Sequence, residues 1–269
     1  MIDAHQHFWR IGRHGQVWPT ADMPLIHRDA LPDEFERLAR QLGVTGSVTV
    51  QSQPDDRDTD FLLTLAAERP FVRGVVGWAN LEAPDAAGRV ASLASRPKFR
   101  GLRPMLQGLG RDDWIAEARI DPAIQTMIEQ DLVFDALVQP RHLMPLRTFA
   151  ARWPALTVVI DHGAKPPIGD DIRAWRDGLA GLAELPNVHC KLSGLLTEVR
   201  CGPAVAVVPP VIDQIAALFG ATRLLWGSDW PVLNLAGGYG DWLTQCLERI
   251  RPADHGAVFG GNARRLYRL

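Results

Sequence analysis

Thr157-Val-Val-Ile160-Asp161-His162-Gly-Ala-Lys165-Pro166 is the stretch that decides how this chain is read. Its short apolar run carries no polar interruption, the pattern of a strand buried on both faces of a parallel sheet. The run stops abruptly at a carboxylate and an imidazole, followed by the turn-forming Gly163 and the breaker Pro166. The same pattern returns in Leu224-Leu-Trp226-Gly-Ser228-Asp229-Trp-Pro231, and Val188-His-Cys-Lys191-Leu-Ser193-Gly194 closes another strand candidate on Lys191 and Ser193. Strands that end in chemistry-bearing side chains are the mark of a parallel α/β protein with its site at the strands' C-terminal ends.

Working outward, eight strands are predicted: Ile2–His7, Gly46–Gln51, Val72–Trp78, Phe99–Arg103, Val133–Val138, Thr157–His162, Val188–Leu192 and Arg223–Ser228. Helical patterns lie between them. Leu31, Phe35, Leu38 and Leu42 recur at helical spacing, with Pro32 near the start and Gly43 just past the end. Ile172, Trp175, Leu179 and Leu182 form a second stripe, and Trp242, Leu243, Cys246, Leu247 and Ile250 a third. The alternation predicts a (β/α)8 TIM-type barrel forming one domain over residues 1–269, close to the roughly 250 residues of such barrels. An open, doubly wound sheet of similar size shares the pattern. Two insertions break the rhythm, from Arg10 to about Ala30 and from Pro104 to about Pro122. Both follow strands, so in a barrel both shape the mouth of the pocket.

Composition narrows the function. The formal charge is −2, without a basic block, which argues against nucleic acid or an anionic membrane as partner. No apolar run approaches the roughly 20 residues of a spanning helix, and the chain opens directly on its first strand without a signal peptide. Cys190, Cys201 and Cys246 form no CxxC pair and read as buried thiols of a cytoplasmic protein. Only three of the 29 basic residues are lysines, Lys98, Lys165 and Lys191, and the last two fall inside motif-rich segments.

His5-Gln6-His7 is the sharpest chemical signal. Alternate strand residues share a face, so both imidazoles project toward the barrel mouth. Two converging imidazoles suit a metal ion or the polarisation of a carbonyl oxygen. His162 and Asp229 emerge at the ends of the sixth and eighth strands, where a general base or a ligand would serve. Taken singly, each has a bland alternative: Asp229 as a turn or cap residue, His162 as an imidazole satisfied by backbone. Together they gather His5, His7, His162 and Asp229 at one end of the barrel, as catalytic residues of barrels gather. Lys191 and Ser193 close the seventh strand and read first as structural. Trp9, Gln51, Trp78, Arg103, Gln107, Lys165 and Trp230 lie at or just past strand ends and are the expected substrate-binding residues, suited to a small hydroxyl-bearing molecule.

The order of Ile2-Asp-Ala-His5-Gln-His7-Phe-Trp9, Val50-Gln51, Gly77-Trp78, Gly101-Leu-Arg103, Asp161-His162-Gly-Ala-Lys165-Pro, Lys191-Leu-Ser-Gly194, Gly227-Ser-Asp229-Trp-Pro231 and Gly261-Asn-Ala-Arg-Arg-Leu-Tyr267 resembles the amidohydrolase superfamily. It is most similar to the branch of sugar-acid and 2-pyrone-4,6-dicarboxylate lactonases, and the resemblance spans nearly the whole chain. It implies hydrolysis of a sugar-acid lactone of L-fucono-, L-rhamnono- or galactono-type. Asp229 would activate water, while His5, His7 and His162 would polarise the carbonyl and hold the oxyanion. Metal-dependent relatives carry a further ligand on the central strands, whereas here the fourth ends in Leu102-Arg103 and the fifth runs Phe134-Asp-Ala-Leu-Val138. A two-metal site is therefore not expected. The resemblance implies a reaction that requires no cofactor, with one Zn²⁺ on His5, His7, His162 and Asp229 as the alternative. Competing activities are a metal-dependent decarboxylase of the same superfamily, an amide hydrolase, and a sugar-acid sensor without turnover. Oligomeric state is not legible.

Overall fold

The structure, a computed structural model, describes residues 1–269 apart from the side chain of Ala118. Eight strands follow one another around a parallel sheet in chain order: β1 (Asp3–Gln6), β2 (Ser47–Val50), β3 (Val72–Gly77), β4 (Phe99–Leu102), β5 (Val133–Ala136), β6 (Val158–Ile160), β7 (Val188–Leu192) and β8 (Leu224–Trp226). The seam closes where Asp229 N donates to His5 O at 2.8 Å and His7 N to Trp230 O at 2.8 Å. This is the barrel, not the open sheet. Each strand is followed by a helix: α1 (Pro32–Gln41), α2 (Asp56–Glu68), α3 (Ala86–Ala94), α4 (Asp121–Glu129), α5 (Leu143–Arg152), α6 (Arg173–Ala183), α7 (Ala204–Phe219) and α8 (Tyr239–Arg249).

The three helical stripes read in the sequence become α1, α6 and α8. In α1, Pro32 occupies the first turn, where its missing N–H costs nothing, and Gly43 beyond the end takes φ +78°. All eight strands lie where expected; β7 has the expected bounds, Val188–Leu192, and the other seven are shorter. β8, for instance, stops at Trp226 because the polar residues after it turn away into the loop.

Two apolar cores result. The larger fills the space between sheet and helices, while Val48, Val50, Val76, Val133, Val159 and Leu225 pack inside the barrel. A short final helix, α9 (Asn262–Leu266), brings Ala263 and Tyr267 into that interior core. Of the three thiols, Cys190 and Cys246 are buried, but Cys201 is exposed, contrary to expectation, on the turn before Gly202-Pro203. Among the described residues, no helix is long and apolar enough to cross a membrane.

Candidate active site

The side chains expected to carry chemistry converge at the C-terminal mouth of the barrel. His7 Nε2 lies 3.2 Å from Asp229 Oδ1 and 3.2 Å from His5 Nε2. Asp229 Oδ1 is 3.7 Å from His5 Nε2 and 4.0 Å from His162 Nε2. His7 Nδ1 faces Val50 O at 2.8 Å, and His162 Nδ1 faces Ser193 Oγ at 2.9 Å.

Backbone strain aims two of these groups. His162 (φ 54°) and Asp229 (φ 62°) both adopt the left-handed region, which costs on the order of 1 kcal/mol or more for such residues and clusters at functional sites. Gly194 makes room beside them. A Cβ there would come within 2.4 Å of His162 Nδ1 and 3.1 Å of Asp229 Oδ2, and its φ is +61°.

Below the imidazoles lies a buried set of charges. Asp161 Oδ2 accepts from Arg103 Nη1 at 3.3 Å, and Asp161 Oδ1 lies 3.1 Å from Lys191 Nζ. Lys191 is also hydrogen-bonded to Asp135, which accepts from Tyr267 Oη at 2.7 Å. Burial pushes His162 down to about 4, so its imidazole is neutral near pH 7. Burial alone would raise Asp229, but the imidazoles of His162, His7 and His5 facing it more than offset this. Its carboxyl is held below the usual range.

The cluster opens into a cavity of about 320 Å³ lined by His7, His162, Asp229, Arg103, Gln107 and Lys165 together with Val17, Trp18, Met105, Leu137 and Val232. Both insertions reach it, the first through Val17 and Trp18, the second through Met105 and Gln107. Gln53 ties the first insertion down: its Oε1 accepts from Val17 N at 3.0 Å and Trp18 N at 3.3 Å, and its Nε2 donates to Trp18 O.

Four expected substrate contacts lie elsewhere. The Trp9 indole donates to Arg28 O at 2.8 Å and packs edge-on against Trp18, supporting the wall without forming it. Trp230 packs with Phe8 and Phe35 in the outer core. Gln51 is fully buried with its amide on Arg103 O at 2.7 Å, and Trp78 is held at its backbone by Thr59 Oγ1. Position at a strand end does not by itself bring a side chain to the cavity: Trp9, Gln51 and Trp230 are buried in the scaffold, and Trp78 is not among the lining residues. Sequence reasoning did not single out Gln53, Met105, Leu137, Thr197 or Val232, which carry no motif.

The donor set also suits a cation. Ligands about 2.0–2.1 Å from a tetrahedral Zn²⁺ sit roughly 3.3 Å from one another. His5 Nε2, His7 Nε2 and Asp229 Oδ1, separated by 3.2, 3.2 and 3.7 Å, could close on one ion, with His162 as a further neighbour. A second dense trio, His5, Asp161 and His162, already holds the Lys191 ammonium against Asp161. The arrangement therefore has room for one divalent ion, not two.

A barrel whose strand ends gather three imidazoles and a carboxylate over a small cavity defines a hydrolase-like catalytic site. The chain belongs to the amidohydrolase family, whose model matches residues 2–269. It is 49% identical to an L-fucono-1,5-lactonase of Burkholderia ambifaria, covering 100% of this chain and 95% of that one. It is 37% identical to an L-fucono-1,5-lactonase of Burkholderia multivorans, covering 100% and 96%. A crystal structure of an amidohydrolase from Burkholderia multivorans with bound Zn superposes with a TM-score of 0.93 at 35% identity, covering 100% and 99%. That bound ion stands against the expectation of a site needing no metal.

Proposed function

We propose that this chain is a hydrolase that opens a sugar-acid lactone of the L-fucono-1,5-lactone type, working as one barrel domain in the cytoplasm. The observation that carries the reading is the Asp229 carboxylate, anionic and 3.2 Å from His7 Nε2, at a cavity sized for one sugar ring. Curated lactonases matching the whole chain support it. The apolar wall of Val17, Trp18, Met105, Leu137 and Val232 suits a deoxy sugar, whose ring presents a methyl where other sugars carry a hydroxymethyl.

Asp229 accepts a proton from a water molecule as that water's oxygen bonds to the lactone carbonyl carbon. Imidazole N–H groups facing the carbonyl oxygen stabilise the charge it acquires, and burial strengthens that interaction because no bulk water competes. When the tetrahedral species collapses, the ring C–O bond breaks, and the departing alkoxide takes the proton from Asp229. The product is a hydroxy acid that ionises at neutral pH. Arg103, Gln107 and Lys165 are positioned to hold ring oxygens. Should one divalent ion bind, His5, His7 and Asp229, with His162, would hold it, and it would supply Lewis-acid polarisation of the carbonyl and acidification of water.

The test is proton release from L-fucono-, L-rhamnono- and L- and D-galactonolactones, read with a pH indicator before and after exhaustive chelation. Asp229→Asn serves as control. Turnover of a deoxy lactone, lost by a factor of about 10³ or more in Asp229→Asn, is expected. Silence across the panel, or an Asn variant of equal activity, would overturn the reading. Activity removed by chelator and restored by Zn²⁺ would assign the ion a required role.

A further inference from the structure

We propose that Arg141 is a positioning residue that clasps the second insertion from outside the cavity and sets Gln107 against the sugar ring. The kinetic consequence rests on the lactonase reading, whereas the clasp itself does not. Gln107 lines the cavity, and Arg141 is not among the lining residues. Arg141 stands in the turn Pro140–His142, between β5 and α5, and its guanidinium reaches two points of the insertion. Nη2 donates to Gln107 O at 3.0 Å, and Nη1 lies 3.3 Å from Asp112 Oδ1. One planar fork thus holds both ends of the segment from Gln107 to Asp112.

That segment is loosely built. Gly108, Gly110, Arg111 and Asp112 are exposed, with Leu109 partly packed on the outer core. A Cβ placed at Gly108 or Gly110 would meet nothing within 4 Å, so neither glycine is required by a close approach. Their effect is to leave the backbone beside Gln107 free to move. Beyond the segment the insertion is anchored separately: Trp114 and Ile115 are buried, and their helical turn packs on α5.

An exposed ion pair between Arg141 and Asp112 would hold little by itself. His142 adds a buried partner, for its ring is only 1% exposed. Burial lowers its pKa, so the ring is neutral near pH 7. The Gln139 N–H donates to Nδ1 at 3.0 Å, which leaves the ring proton on Nε2. That N–H has no hydrogen-bond partner among the described residues. Asp112 Oδ1, the oxygen that faces Arg141, lies 3.7 Å from it. An advance of roughly half an ångström by Asp112 would complete the bond. A donor on the exposed fork and a donor on the buried ring therefore converge on one carboxylate oxygen, and both draw the insertion toward α5.

The experiment reads Arg141→Ala in two ways; the side chain is half-exposed, so its loss leaves the core intact. Without substrate, amide hydrogen exchange is followed at Gly108 and Leu109, whose N–H groups donate to Met105 O and Leu106 O. Exchange is expected to quicken about tenfold or more, as the loss of a charge-assisted bond implies. With the lactone that the wild type opens, KM is expected to rise about tenfold while kcat changes less than about threefold. Gln107→Ala is expected to raise KM by itself, and adding Arg141→Ala to it should then change KM less than about twofold, because the clasp acts through that side chain. Asp112→Asn, which keeps an acceptor oxygen, should lie closer to wild type than Asp112→Ala. Unchanged exchange in Arg141→Ala overturns the clasp. A KM effect of Arg141→Ala that is absent, or as large with Gln107→Ala as without it, overturns the positioning role. If no lactone is turned over, the lactonase reading fails and the exchange rates alone decide the clasp.

Discussion

Asp58 offers the most quantitative check on how the pocket wall is built. It lies on α2, 1% exposed, and its Oδ2 accepts from Ser52 N at 2.8 Å and Gln53 N at 3.3 Å. Those residues precede Pro54 in the loop that lines the cavity, and Gln53 carries Val17 and Trp18. Burial drives the Asp58 carboxyl up from 3.8 to about 7, against the pull of the two N–H groups. The folded pKa therefore exceeds the unfolded one. Between about pH 4 and pH 7 the folded chain holds a proton that the unfolded chain has released, so this group's contribution to stability falls as pH rises. A gap of about 3 units at 1.36 kcal/mol each amounts to about 4 kcal/mol. Asp58→Asn keeps an oxygen for both backbone donors and removes the ionisation. Urea unfolding of both proteins from pH 4 to pH 8 should show the variant gaining about 4 kcal/mol over wild type across that window. A flat difference, or a variant that weakens as pH rises, would mean the amides stabilise the anion and the reasoning is wrong.

Other expectations concern the site. Ser193→Ala strands the buried His162 Nδ1, an omission worth about 1–3 kcal/mol, so kcat should fall about tenfold or more with KM little moved. Unchanged steady-state kinetics would show that Ser193 does not orient His162. Gln53→Ala removes the bonds to Val17 N, Trp18 N and Trp18 O, each worth about 1 kcal/mol, and should raise KM about tenfold or more. A loss in kcat at constant KM would contradict that role. Because burial lowers His162 to about 4, this imidazole should titrate well below pH 5 and contribute no acid limb to kcat/KM between pH 8 and 5. A ¹⁵N-monitored titration that places the His162 ring near 6.5 would refute this.

The architecture was legible because it is written in local patterns. Continuous apolar runs such as Val158–Ile160 suit a strand covered on both faces, and several of them among eight strand candidates spaced by helical stripes point to a barrel. His162 and Asp229 were legible because they follow such runs, and His5 and His7 because their alternate spacing on one strand turns both to one face. The substrate wall was not. Whether a tryptophan after a strand turns into the mouth or back into the core depends on the path of its loop. Trp18 faces the cavity and Trp9 backs it, and nothing in their types distinguishes them. Lys191 and Ser193 read as structural because their partners lie on other strands. His5 is 186 residues from Lys191, a separation that no local pattern encodes.

The seam of the barrel explains why the strained carboxylate sits where it does. Asp3 bridges β1 and the end of β8, with Oδ1 accepting from His5 N at 3.1 Å and Ser228 N at 3.0 Å and Oδ2 from Tyr239 Oη at 3.0 Å. The next residue, Asp229, then donates its own N–H to His5 O, so the backbone of the candidate base is bonded to the strand that carries the imidazoles it faces. Gly227 allows this approach, since a Cβ there would come within 2.6 Å of His5 Cβ. Closing the barrel and assembling the site are thus the same set of bonds. The left-handed backbone at Asp229 is sustained because relaxing it would open the seam between first and last strands. A site spread over the chain's two ends gains its precision from that closure rather than from any single loop.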